Sequence, residues 1–254
     1  MADTEDEYEG AVNDQLVLIS GMSATGKSAA LRNLKNQKGV MYLNCESGKR
    51  LPFKNDFQTF VITDPYQVYE AFDHALNNPK FHTIVVDTVT FLMDMFESIY
   101  IIGAADTMAG WAAYAQFFKR LMQHHVASSD KNVIILGHTR SDLDEAKMEN
   151  QVAVPIKGAL KNNGIESYFS TVVSTKKVSI KELKDYQNDM LHISEDDELV
   201  GYKHVFQTRL TKQTIGERIR APMGMFSKAE TFIDNDAQLL LEHLRDYYGS
   251  AEAA

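Results

Sequence analysis

Short apolar runs alternate along the chain with segments whose apolar residues recur at helical spacing. The runs predict buried strands over residues 15–20, 40–44, 60–62, 83–87 and 132–137. The amphipathic segments predict helices over residues 66–76, 91–100, 111–126 and 236–247. Strands that alternate with helices require right-handed crossovers and give a mainly parallel sheet with helices on both faces. The pattern therefore predicts an α/β fold, with one domain over residues 13–250.

The pattern changes after residue 138. A polar stretch over 139–150 precedes strand-like segments at 168–173 and 202–210. The acidic run 194–198 is interpreted as a solvated turn. We therefore expect antiparallel strands at one edge of the parallel sheet.

A glycine-containing loop follows the first predicted strand and precedes a helix-prone segment at 29–34. Its residues fit the pattern G-x-x-x-x-G-K-[ST], and with the first residue of the helix they are Gly21, Met22, Ser23, Ala24, Thr25, Gly26, Lys27, Ser28 and Ala29. In such a loop the backbone N–H groups and the positive helix end face phosphates, Lys27 reaches the β and γ oxygens, and the hydroxyl of Ser28 ligates Mg²⁺. The strand–loop–helix context predicts a nucleoside-triphosphate site; the alternative is a glycine turn that binds nothing.

Three polar residues at or just beyond the ends of predicted strands complete the candidate site. Asp87 ends the strand 83–87 and could hold Mg²⁺ through its water shell, or cap the next helix. Glu46 lies just beyond the strand 40–44, where a glutamate can polarise the attacking water; a solvated surface residue is the alternative. His138 follows the strand 132–137 and could sense the γ-phosphate, or be an ordinary loop residue.

The order of these motifs resembles the core ATPase domain of the RecA/RadA superfamily, and most closely the short phage RecA-like single-strand annealing ATPases. The resemblance covers roughly residues 13–235 and is carried by the loop 21–28, Cys45-Glu46, residues 84–88 and residues 134–138. It implies ATP and Mg²⁺ as cofactors, with Lys27 and Glu46 as catalytic residues and Asp87 as the Mg²⁺ ligand. The superfamily usually has a glutamine where His138 or a neighbour stands.

The resemblance also implies partners. It predicts a homo-oligomer, ring or filament, that binds single-stranded DNA through two loops, here about 103–110 and 139–158, with a single-stranded-DNA-binding protein as a further partner. Trp111 and Tyr114 could stack on bases near the first loop, or pack in the core. The second loop has more acidic than basic residues, and this balance of charge is unfavourable for binding phosphates. Strong strand exchange is therefore not expected.

The segment 214–222 resembles the strand whose basic residues reach the nucleotide of a neighbouring subunit. Hydrolysis of the γ-phosphate commonly needs a second cation, and the sequence shows none near the glycine loop. We therefore predict that Arg218 is catalytic in trans. The alternatives are Arg209, Lys212 and Arg220 in the same role, or solvated cations on an exposed strand.

Composition limits the partners and the cellular location that we expect for the protein. The 254 residues are 44% hydrophobic and carry a net charge of −9, which argues against non-specific coating of nucleic acid. The single cysteine, Cys45, excludes an internal disulfide framework, and no apolar run reaches the ~18 residues of a membrane span. The acidic residues 1–12 predict a disordered tail and fit no targeting peptide. We expect a cytoplasmic protein, in the host cytoplasm if it is of phage origin, with no membrane partner.

The leading hypothesis is an Mg²⁺-dependent ATPase that binds single-stranded DNA for recombination, annealing or repair. One alternative is a nucleotide-gated interaction module for a replication partner, in which ATP orders a surface. The other is a small-molecule kinase, which would need an arginine-rich lid, and no basic cluster of that kind stands out in the sequence.

Overall fold

The computed structural model describes residues 13–145 and 148–251. The tail predicted over residues 1–12 lies outside them. Ten strands are present in these residues: β1 (Leu16–Gly21), β2 (Val40–Asn44), β3 (Gln58–Val61), β4 (Thr83–Asp87), β5 (Asn132–His138), β6 (Arg140–Asp144), β7 (Glu149–Ala153), β8 (Thr171–Ser179), β9 (Tyr202–Gln207) and β10 (Phe232–Asp234).

Eight of these strands form one central sheet in the order β10-β9-β8-β1-β5-β4-β2-β3. Every neighbouring pair from β8 to β3 is parallel, whereas β9 and β10 are antiparallel additions at the other edge. This confirms the predicted α/β fold with a mainly parallel sheet and antiparallel strands at one edge.

Helices cover both faces of the sheet. Their bounds are α1 (Gln67–Leu76), α2 (Val89–Tyr100), α3 (Thr107–Arg120), α4 (Ile180–Leu183), α5 (Glu195–Val200) and α6 (Ala237–Ala251). One face packs against α1, α2 and α3, and the opposite face packs against α6 and a 3₁₀ helix, Ser28–Asn33. Because side chains alternate along a strand, Ile84 and Val85 enter opposite cores. Burial on both faces explains the continuous apolar runs of the sequence.

The acidic run 194–198 is not the predicted solvated turn, because it begins helix α5. Ser194 accepts a hydrogen bond from the backbone N–H of Asp197, and the carboxylate of Asp197 accepts one from the backbone N–H of Ser194. This reciprocal capping satisfies backbone donors at the helix start, where negative charge is also favourable.

The segment 139–158, predicted as a loop, contains a β-hairpin. Strands β6 and β7 pair in antiparallel register from Arg140↔Ala153 to Asp144↔Glu149. Val152 also forms a bridge to Glu217, so the hairpin is anchored to the later part of the chain. None of the helices in the described ranges is both long and apolar enough to cross a membrane.

Candidate nucleotide-binding site

The sheet topology gathers most of the predicted site residues at one edge. Strands β1, β5, β4 and β2 are adjacent and parallel, with Gly21 in register with His138 and Asn44 in register with Asp87. Their carboxyl ends open onto a cavity of about 290 Å³. The predicted residues that line it are Ser23, Ala24, Gly26, Lys27, Ser28, Ala29, Glu46, Asp87 and His138.

The conformation of the glycine loop depends on residues far along the chain. Gly26 has a φ of +105°, and a Cβ atom there would lie 2.4 Å from Nδ2 of Asn235. That amide donates a hydrogen bond of 3.0 Å to the carbonyl oxygen of Gly26, and Nδ1 of His204 lies 2.8 Å from the carbonyl oxygen of Thr25. The loop is therefore braced by β9 and by the residue that follows β10.

The loop carries its positive charge in a buried position. Nζ of Lys27 donates hydrogen bonds to the carbonyl oxygens of Gly21, at 2.9 Å, and Met22, at 2.7 Å. Burial lowers the pKa of Lys27 to about 8, although the nearby carboxylates of Asp87 and Glu46 act in the opposite direction. The ammonium group is therefore charged at neutral pH and held within the loop.

The geometry of Asp87 and Ser28 fits an Mg²⁺ ion. Oδ2 of Asp87 accepts hydrogen bonds from the hydroxyls of Ser28, at 3.0 Å, and Tyr42, at 2.7 Å. Oδ1 of Asp87 is buried and has no hydrogen-bond partner among the described residues. Burial raises the pKa of this carboxyl group, and a hard cation at the free oxygen would favour its charged form.

Mg²⁺ usually takes one or two protein ligands, and substrate phosphates and water complete its octahedron. Within the residues that the structure describes, no group of three or more His, Cys, Asp and Glu side chains could hold a metal ion. The pair of Ser28 and Asp87 therefore suits a metal that arrives with a triphosphate, and that metal would neutralise phosphate charge when bound.

Glu46 is held at both carboxylate oxygens. Oε2 lies 2.9 Å from Nζ of Lys49, and Oε1 lies 3.1 Å from Nε2 of His138. Burial alone would raise the pKa of Glu46, but the hydrogen bonds from Lys49 and His138 outweigh it and lower the pKa below its usual value. Glu46 is therefore ionised, as a residue that polarises water must be.

Arg218 lies away from this cavity in its own chain. Its guanidinium donates hydrogen bonds of 3.0 Å to the carbonyl oxygen of Asn163 and 3.1 Å to Oε2 of Glu166, whose carboxylate is buried. It lines a second cavity, which Arg140 and Lys157 also line. The assignment of Arg218 to a neighbouring subunit's nucleotide stays a prediction.

Of the aromatic residues near the first predicted DNA loop, Tyr114 belongs to the core and Trp111 is half-buried against it. Tyr114 is buried, and Trp111 packs against it at a ring distance of 5.4 Å. The loop itself is shorter than predicted, because α3 already begins at Thr107. Cys45 is also buried, and burial raises the pKa of its thiol.

Sequence reasoning missed Lys49, Tyr42, His204 and Asn235. Tyr42 sits within an apolar run, and the other three reach the site through a tight turn or from distant parts of the chain. The Ser47-Gly48 pair after Glu46 was the one available signal, because such pairs mark turns that return the chain on itself.

Two comparisons with known proteins bear on this site. A family model described as an AAA domain matches residues 13–209. The matched range contains Lys27, Glu46, Asp87 and His138, and it ends before Arg218. A search of curated proteins gives no match to the chain.

Proposed function

The chain belongs to the AAA-domain family, which marks it as a P-loop ATPase-type protein, and from this premise we propose that it is an Mg²⁺-dependent ATPase of the RecA/RadA type that binds single-stranded DNA as a homo-oligomer. The proposed ATPase activity rests on one observation, which is that Lys27, Glu46 and Asp87 line the same cavity at the phosphate loop. The sequence resemblance supports the finer part, a role in recombination, annealing or repair.

The proposed reaction is hydrolysis of the γ-phosphate. The oxygen of a water molecule, oriented by the carboxylate of Glu46, attacks the γ-phosphorus, and the bond between that phosphorus and the bridging β–γ oxygen breaks. The water proton passes to Glu46 and then to the released phosphate. Lys27 and the loop N–H groups neutralise the charge that develops on the phosphate oxygens.

The electrostatics of the second cavity limit how tightly DNA can bind there. Arg140 pairs with Asp142, and Lys157 pairs with Glu97, so two of its cations are already neutralised. We propose that DNA binds weakly and only to the ATP-loaded oligomer, because few free cations are present to contact phosphates, and that high salt releases it by screening those contacts.

The same ion pairs favour a second candidate function, a nucleotide-gated interaction module for a replication partner. The hairpin exposes two apolar side chains, Leu143 at 58% and Met148 at 79%. Exposed apolar residues beside neutralised cations are better suited to a protein surface than to a phosphate backbone.

Turnover of ATP with and without single-stranded DNA, measured together with oligomer mass, tests the proposal. Faster hydrolysis with DNA and an ATP-dependent oligomer would support it. Titration of a labelled oligonucleotide at two salt concentrations measures DNA binding and its dependence on salt. No DNA binding at either salt, with hydrolysis intact, would favour the interaction module instead.

A further inference from the structure

The chain between Glu46 and Lys49 forms a tight turn that aims a cation into the nucleotide cavity. The backbone N–H of Lys49 donates to the carbonyl oxygen of Glu46 at 3.1 Å, and the two central residues have φ values of +55° at Ser47 and +77° at Gly48. Positive φ at both central positions is the signature of a type I′ turn, which reverses the chain sharply.

Asn44 fixes both ends of this turn. Its Oδ1 accepts a hydrogen bond of 3.0 Å from the backbone N–H of Glu46, and its Nδ2 donates one of 2.8 Å to the carbonyl oxygen of Lys49. Asn44 is buried at the end of β2. The base of the Lys49 side chain is therefore held in place beside Glu46.

The ammonium end of Lys49 is free to move. Its side chain is 68% exposed and lines the same cavity as Lys27 and Asp87, yet its ammonium contacts only Oε2 of Glu46 among the contacts of the described residues. With His138 on Oε1, each oxygen of Glu46 has one partner. A carboxylate oxygen can accept two hydrogen bonds, so Lys49 competes with water for Oε2 and holds part of the charge that would polarise it.

We propose that Lys49 supplies the second cation of the site in cis. On binding of a nucleoside triphosphate its ammonium moves from Oε2 of Glu46 to the γ-phosphate, and both acceptor positions of that oxygen become available to water. A γ-phosphate carries more negative charge than a single carboxylate and competes for the ammonium, whereas a diphosphate lacks the competing group. The inference rests on the proposed ATPase function and makes hydrolysis depend on recognition of the third phosphate.

Arg218 is predicted to act in trans because the sequence shows no second cation near the glycine loop, and Lys49 would be such a cation. The two assignments differ in whether the cation comes from the same chain as the nucleotide or from a neighbouring chain. A cation in cis acts within one chain, whereas Arg218 would have to leave the buried carboxylate of Glu166 to reach a neighbour.

The test compares Lys49→Met, Lys49→Arg and Lys54→Met by kcat, KM and the dissociation constants for ATP and ADP. Lys54 is an exposed lysine of the same segment and controls for loss of one positive charge. We expect Lys49→Met to lower kcat by about a hundredfold, the cost of removing one transition-state donor. We also expect it to weaken ATP binding by about tenfold while the affinity for ADP stays unchanged. Lys49→Arg should restore the preference for ATP.

Equal losses of ATP and ADP affinity would show that Lys49 only supports the fold of the turn, and would overturn the inference. The double variant Glu166→Gln/Arg218→Gln, which removes both charges of that ion pair, tests the rival assignment. A greater loss of kcat in the double variant than in Lys49→Met would also overturn it. If the unsubstituted protein does not hydrolyse ATP, the proposed function fails, but the ratio of ATP to ADP affinity still tests Lys49.

Discussion

The Nε2 atom of His138 lies 3.1 Å from Oε1 of Glu46, so the last residue of β5 contacts a residue just beyond β2. Strand β4, which ends in Asp87, lies between those two strands in the sheet. The contact therefore links the residue predicted to sense the γ-phosphate with the residue predicted to activate water, across the strand that ends in the predicted Mg²⁺ ligand. His138 and Glu46 form one unit of the site.

Glu46→Gln should separate binding from hydrolysis. The amide keeps the size of the side chain and can still contact His138, but it lacks the charge that polarises water. We expect turnover to fall by about 10²- to 10⁴-fold with ATP affinity nearly unchanged, as measured by phosphate release and calorimetry. Glu70→Gln, on the exposed side of α1, is the control. Normal hydrolysis by Glu46→Gln would make Glu46 an ordinary surface residue.

The pH dependence of kcat/KM should reflect the lowered pKa of Glu46 in the protein without nucleotide. The active form is deprotonated, so activity is present above this pKa and is lost as the pH falls through it. Because the pKa of Glu46 is lowered, this loss occurs at a lower pH than for an ordinary glutamate. Lys49→Met removes one of the groups that lower this pKa, and the acid limb should move to higher pH. Profiles of kcat/KM against pH for both proteins measure the shift, because kcat/KM reports the protein without nucleotide, in which Lys49 contacts Glu46. An acid limb at the same pH in both would show that Lys49 does not act on Glu46.

The sheet and its motifs were predictable because parallel strands buried on both faces appear as apolar runs, and the groups that follow them meet at one edge. Glu46, Asp87 and His138 are predictable in this way, and Lys27 is predictable from the motif of the glycine loop. Asn235 could not be found, because it lies 209 residues from Gly26 and only the tertiary fold brings them together.

Local chemistry was missed in two other places. The charge of the run 194–198 indicates a solvated turn, whereas the spacing of Ser194 and Asp197 is that of a capping box and predicts a helix start. The apolar runs do not predict Lys49 as a site residue, because its position depends on the turn at Ser47 and Gly48. Both signals were present in the sequence as short-range patterns.

Gly26→Ala should abolish nucleotide binding. The substitution places a methyl group 2.4 Å from Nδ2 of Asn235, at a φ of +105° that alanine rarely adopts. Fluorescent ATP titration measures the loss. Gly249→Ala in helix α6 is the matched control, because none of the described residues would lie within 4 Å of the added methyl group. Unchanged binding by Gly26→Ala would contradict the described shape of the loop.

Arg218→Ala should destabilise the fold. The substitution leaves the buried carboxylate of Glu166 with the backbone N–H of Val154 as its remaining hydrogen-bond partner among the residues that the structure describes. Because Arg218 is 40% exposed, we expect a loss of about 1–3 kcal/mol in the free energy of unfolding, below that of a fully buried pair. Urea denaturation gives the value. Arg140→Ala breaks the exposed pair with Asp142 and should change nothing measurable. Equal stability of both variants would show that the Arg218–Glu166 pair contributes nothing.

Phosphate release from ATP by the unsubstituted protein and by Lys27→Ala, each with and without Mg²⁺, tests the central claim most directly. The account predicts Mg²⁺-dependent release by the unsubstituted protein, and none by Lys27→Ala, which lacks the positive charge held in the loop by Gly21 and Met22. Equal release by the two proteins would contradict the claim that this cavity hydrolyses ATP.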